Sequence, residues 1–205
     1  MRAIILVTSC DRDCHNGRQE AAEETWMRAW GDRIDHKFVI GRGPGQYIRP
    51  PWELLVEAPD DYAGVPFKMQ EARRWALDHQ YDYVFQACVD TWIHVPRLMT
   101  SGFENYDYSG YEYQGNASGG LGYWTSTKAI SVLLDANVEE ARRCVWEDVW
   151  VGRTLAKAGI TLHHNTRYSS PRNDPVPEFP ITMHLSRATG HFDPQWMYEC
   201  HERYK

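Results

Sequence analysis

Three stretches of this chain carry side chains that could do chemistry. The first is Cys144-Val145-Trp146-Glu147-Asp148-Val149-Trp150-Val151-Gly152, where two carboxylates stand side by side between bulky apolar residues. They open a run with apolar positions at Val149, Val151, Leu155, Ala156 and Ala158, and Gly159 marks a helix end. Acids at a helix start are favoured by the helix dipole, so the pair reads either as first-turn stabilisers or as carboxylates with a chemical role. The second is Asp90, delivered to the end of the apolar run Tyr81-Val89. A carboxylate there suits a divalent cation beside a diphosphate, or caps a turn. The third is Lys68, near the start of a helix, where the dipole disfavours a cation. It calls for a specific anionic partner, or else sits on the surface. The pair Gly119-Gly120 permits close backbone approach to a ligand, or a tight turn. His163, His164 and His184 match no zinc signature in their spacing.

The elements that must position these groups follow from the pattern. The continuous apolar run from Arg2 to Thr8 is a buried strand of a parallel sheet. Residues 9–17 form a polar loop with Arg12, His15 and Asn16, and a helix follows from Arg18 to Trp30, with Gly31 past its end. A loop between strand and helix lies at the carboxyl edge of the sheet, where ligands bind in open α/β folds. Further strands are expected at residues 37–40, 54–58, 81–89, 106–113, 160–164 and 181–185. Asp90 to Val95 should continue extended, with Pro96 opening a short helix. Longer helices should span residues 67–79, 126–134 and the run after Asp148. Gly41-Arg42-Gly43-Pro44-Gly45 lacks the ending of a phosphate-binding loop and reads as a flexible turn. Residues 116–123 and 165–179 read as loops, and the aromatic, charged tail as a covering helix.

The bulk numbers bound the function. A chain of 205 residues is expected to form one domain, 1–205, with a full core. A net charge of −6 argues against a general nucleic-acid binder, which needs a basic face, though a local patch could still hold such a substrate. Nine Trp and twelve Tyr fit either core packing or a stacking cleft for sugars or bases. Five Cys without disulfide or zinc spacing suggest reduced thiols. The run Ala3-Val7 is too short for a secretory core or a membrane span, so the expected location is cytoplasmic, with no membrane partner.

Several fragments, in order, resemble glycosyltransferase family 31, which includes the beta-1,3-galactosyltransferases and Fringe and has a GT-A fold. They begin at Arg18, with Thr25-Trp26 closing the first helix. They continue through Asp60-Asp61-Tyr62 and Lys68, the strand ending at Asp90, Val95-Pro96-Arg97-Leu98 and Tyr108-Ser109-Gly110-Tyr111. Then come Gly119-Gly120-Leu121-Gly122-Tyr123-Trp124-Thr125-Ser126, the stretch Glu147-Gly152, and Gly159-Ile160. Each is weak alone; the shared order over residues 18–160 makes the likeness fairly specific.

The resemblance implies a GT-A-like α/β domain with a mixed, mostly parallel sheet and helices on both faces. It implies an inverting, metal-dependent transferase that moves a sugar from a UDP-sugar to a hydroxyl of a glycan or other acceptor. Asp148 falls on the family's general base, and Glu147 would lie beside it as a second catalytic residue at the acceptor. Asp90 falls on the last carboxylate of the metal-binding acidic triplet, and His184 on a late metal-binding His, for Mn2+ or Mg2+. Thr8, Ser9, Arg18, Lys68 and Asp90 would face the donor. Gly119, Gly120 and Trp146 would line the sugar and acceptor cleft. The triplet here is Cys88-Val89-Asp90, and the loss of its first Asp removes a carboxylate expected to help hold the sugar nucleotide. No stretch reads as the family's membrane anchor, so a compact microbial or viral relative is expected. Two further readings stay open: a degenerate module that binds a glycan or nucleotide without turnover, motivated by Cys88 and Val89, and a viral-type enzyme acting on hydroxylated nucleic-acid bases, against which the acidic balance counts.

Overall fold

The computed structural model describes residues 1–42, 51–144, 146–171, 176–186 and 191–205. Twelve strands are present among them: β1 (Ala3–Thr8), β2 (Asp35–Gly41), β3 (Glu53–Val56), β4 (Tyr83–Cys88), β5 (Thr91–Ile93), β6 (Tyr108–Gly110), β7 (Glu112–Tyr113), β8 (Asn116–Ala117), β9 (Tyr123–Ser126), β10 (His163–His164), β11 (Tyr168–Ser169) and β12 (Thr182–His184). The α-helices are α1 (Asp11–His15), α2 (Arg18–Ala22), α3 (Arg28–Trp30), α4 (Val65–Asp78), α5 (Val95–Met99), α6 (Thr127–Asp135), α7 (Glu147–Lys157) and α8 (Gln195–Tyr204).

The central sheet has seven strands in the order β10-β6-β9-β4-β1-β2-β3. β9 runs antiparallel to both its neighbours, β4 and β6, and every other pairing is parallel. β1 shows why both faces are covered. Ile5 and Val7 point into a core with Ala21, Trp26 and Met197, while Ile4 and Leu6 point into another with Met69, Ala72 and Ile130. A continuous apolar strand has two buried faces, so helices must pack on both. The mixed, mostly parallel α/β architecture is the expected one.

The chain order creates a switch point. β1, β2 and β3 extend the sheet one way, and β4 then returns to the other side of β1. The carboxyl ends of β1 and β4 therefore open a crevice between them, the usual ligand position in such sheets.

Helix 18–30 is present, but its middle, Glu23–Met27, is a π-helical turn between α2 and α3. Gly159 ends α7 as expected, with a left-handed φ of 77°. Other elements differ from the pattern. The polar loop after β1 contains α1. Residues 106–113 split into β6 and β7, and β5 leaves the central sheet to pair with β12. Residues 116–123 contain β8, and residues 165–179 contain β11. The short buried strand β9 is absent from the sequence reading, because four residues, Tyr-Trp-Thr-Ser, show no period to detect. Gly43-Pro44-Gly45 and residues 172–175 lie outside the described residues. All five cysteines are free thiols. Among the described residues no helix is long and apolar enough to cross a membrane.

Candidate active site

The crevice at the switch point is a cleft of about 1260 Å³. A single small-molecule pocket is typically about 300–1,000 Å³, so this one has room for two substrates. The residues that the resemblance assigns to donor, metal, acceptor and catalysis all lie along it, whereas His163 and His164 do not. Thr8 and Ser9 come from the end of β1, Arg18 from α2 and Lys68 from α4. Asp90 follows β4, and Gly119 and Gly120 precede β9. Trp146, Glu147 and Asp148 open α7, and His184 ends β12.

Asp148 occupies the first turn of α7, which has no side-chain N-cap. Its Oδ2 accepts from the Gly119 amide at 2.7 Å, and its Oδ1 from the Val149 amide at 2.8 Å. Burial pushes its pKa up, and the Glu147 carboxylate adds to this, against the lowering by those amides. A carboxylate raised toward neutrality is a better proton acceptor.

Glu147 does not share this setting. It is buried, and both its oxygens are occupied by Arg73, Gln86 and Tyr123. This corrects the expectation of a second catalytic carboxylate at the acceptor: the side chain points into the protein, because a buried Arg there demands an anion.

The glycine pair forms a saddle between two walls. A Cβ on Gly119 would stand 3.1 Å from Asp148 Oδ2, and one on Gly120 would meet the His184 ring at 2.7 Å. The missing side chains thus admit protein groups as well as any ligand. Thr91 Oγ1 donates to the Gly120 carbonyl at 2.8 Å, and Thr182 Oγ1 to that of Leu121 at 2.6 Å, which pins the saddle to β5 and β12. On the far wall Asp90 Oδ2 lies 3.4 Å from His184 Nε2 and accepts a hydrogen bond from the Ser186 hydroxyl. Burial by itself would raise the Asp90 pKa, but His184 and Ser186 outweigh it and hold the carboxyl below its usual value. Cys88 is a neutral thiol: burial, with the carboxylates of Asp90 and Asp148 nearby, pushes its pKa well up.

Lys68 has the anionic partner that its position called for, but the partner is internal. Its ammonium is buried and donates to the Ser9 carbonyl at 2.6 Å and to Asp60 Oδ1 at 3.1 Å. Asp60 also accepts from the Gly41 amide at 2.8 Å and the Asp11 amide at 2.7 Å. One carboxylate therefore ties the ends of β1 and β2 to α4. The Ser9 hydroxyl is held by Gln19 Nε2 at 2.8 Å. Thr8 Oγ1 lies 3.4 Å from the Met69 sulfur. Arg18 lies 3.6 Å from Asp13 and over the Phe192 ring.

Sequence reasoning gave no role to several cleft residues. Arg12 and Arg142 add exposed cations, and Tyr62, 72% exposed, stands on the rim. Asp60 and Tyr62 were visible in the motif Asp60-Asp61-Tyr62; a buried partner such as Arg73 carries no local signal.

No family model matches the sequence, and no curated protein matches it. Among solved structures, the chain is similar to a glycosyltransferase involved in the glycosylation of the major capsid of PBCV-1, with a TM-score of 0.59 and 10% identity, over 98% of this chain and 99% of that one. A197 from STIV is matched with a TM-score of 0.46 and 13% identity, over 80% of this chain and 82% of that one. The first likeness establishes the fold as GT-A-like.

Proposed function

We propose that this protein is an inverting glycosyltransferase that uses a UDP-sugar and a divalent cation, with a hydroxyl acceptor. The observation that carries the reading is the pair of opposed walls in one two-substrate cleft. Asp148 stands on one wall and Asp90 with His184 on the other, separated by Gly119-Gly120. The motif resemblance to family 31 and the solved glycosyltransferase of the same fold support it.

In this reading the acceptor oxygen attacks the anomeric carbon from the Asp148 side. The new carbon–oxygen bond forms as the bond to the diphosphate breaks, and the acceptor proton passes to Asp148. Asp90 offers an oxygen donor of the kind that suits Mn2+ or Mg2+, and the His184 nitrogen beside it favours Mn2+ over the harder Mg2+. Among the described residues no third side-chain donor joins them, so diphosphate oxygens and water would complete the shell. A bound cation would neutralise charge on the departing diphosphate. Arg18 and Arg12 would add to that neutralisation.

A second reading has its own observation. Cys88 puts a neutral thiol where the family carries a carboxylate, which favours a module that binds donor without turnover. One calorimetric series separates the two: UDP titrated into the protein with and without Mn2+, repeated for Asp90→Ala. The transferase reading expects Mn2+-dependent binding that the variant loses. It also expects Asp148→Asn to keep UDP binding while turnover of UDP-sugars falls about 100-fold or more, the share a general base supplies. Donor binding with no turnover by the wild-type protein favours the second reading, and no binding of UDP in any condition sinks both.

A further inference from the structure

We infer that Arg73, Gln86, Tyr123 and Glu147 form a buried positioning knot that holds the Asp148 wall of the cleft in register with the Asp90 wall. Its catalytic meaning rests on the transferase reading.

The knot joins four elements through one guanidinium. Arg73, on α4, is 0% exposed. The two hydrogens of its Nη2 are shared among three acceptors, Gln86 Oε1 at 2.6 Å, Glu147 Oε1 at 2.7 Å and the Tyr123 hydroxyl at 3.0 Å. Gln86 Nε2 and the Tyr123 hydroxyl donate in turn to Glu147 Oε2, at 2.9 and 3.0 Å. Each anchor sits beside a functional group. Gln86 is on β4, the strand that ends just before Asp90. Tyr123 opens β9, directly after the Gly119–Gly122 bend. Glu147 is the sequence neighbour of Asp148.

Stability alone is a poor reason for such a cluster. A buried ion pair is often no more stabilising than apolar residues of the same volume. Arg73 also keeps Nε and Nη1 buried without a partner among the described residues, which costs free energy. What the cluster supplies is directional geometry. α7 begins without a side-chain cap, so two first-turn carboxylates locate its end. Glu147 reaches down to the sheet, and Asp148 reaches across to the Gly119 amide. With Glu147 turned to the sheet, Asp148 is the first-turn carboxylate bonded to the Gly119 amide.

The test is the double replacement Arg73→Met with Glu147→Leu, which removes both charges together. The Gly119 amide, 2.7 Å from Asp148 Oδ2, reports the result by proton–nitrogen NMR. In the wild-type protein its shift should follow the ionisation of Asp148. In the double variant, still folded by near-ultraviolet circular dichroism, that titration should be lost. UDP affinity should be unchanged, while UDP-sugar turnover drops about 100-fold, the cost of misplacing a reacting group by about 1 Å. A folded double variant that keeps both the Gly119 titration and the turnover overturns the inference. If the double variant fails to fold, Tyr123→Phe removes a single hydroxyl from the knot. It should reduce the Gly119 titration, and an unchanged titration overturns the inference in its turn. A wild-type protein with no turnover would remove the transferase reading, and the Gly119 signal would then decide the knot by itself.

Discussion

At the scale of single residues, Asp148 sets the expected pH dependence. Its pKa is raised by burial and by Glu147. A base must be ionised to work, so activity should disappear as pH falls through that raised value. The acid limb of a turnover profile should therefore lie above about 3.9, the ordinary Asp value. A limb at or below that value would remove Asp148 from the role. Gly120 gives a steric counterpart. A methyl group there would press on the His184 ring. Gly120→Ala should weaken Mn2+-dependent UDP binding, with metal-independent binding retained; equal loss of both would mean that the whole loop has moved.

At the scale of elements, the Lys68–Asp60 pair is the tie between α4 and the ends of β1 and β2. Removing one partner of a buried pair leaves the other charge uncompensated, at a cost of about 3–5 kcal/mol. Asp60 would keep two amide donors after Lys68→Met, so the low end of that range, about 3 kcal/mol, is expected in urea unfolding. A loss under about 0.5 kcal/mol, the size of an ordinary surface substitution, would show that the tie is dispensable. Lys68 was legible as a cation in need of an anion, because the helix dipole makes its place unfavourable. That the anion is Asp60 rather than a nucleotide phosphate depends on a loop eight residues earlier folding back onto α4.

At the scale of the whole molecule, the histidines govern acid stability. His94 is pushed down to about 4 by burial, then by Arg97, with Arg167 and His201 adding to it. Burial also lowers His36 and His201. The unfolded chain binds protons at these sites near pH 6.5, whereas the folded chain binds them only at lower pH. Stability is thus fully present above about pH 6.5 and declines as pH falls from there toward about 4, the span between unfolded and folded values. Asp148 and Glu23, whose pKa values are raised in the fold, offset part of this loss at the acid end. Urea midpoints should therefore decrease from pH 7.5 and level off toward 4.5, and midpoints that rise as pH falls from 7.5 to 6 would contradict the burial of these rings. Below that range Asp90 and Asp107, whose pKa values are lowered in the fold, add their own loss as they protonate.

The sequence by itself determined the alternation of strands and helices, the buried strands β1 and β4, and the stop at Gly159. These follow from local causes: apolar runs, helix periodicity and glycine stereochemistry, each confined to a few neighbouring residues. The tertiary structure decided three things. It placed β9 antiparallel in the sheet, because a four-residue buried strand takes its direction from its neighbours. It turned Glu147 inward and Asp148 toward the cleft, although both are first-turn acids of the same helix. The reason is Arg73, 74 residues away, whose buried charge requires a carboxylate from the chain. And it set Gly119 against Asp148 and Gly120 against His184, contacts between segments that no local pattern brings together.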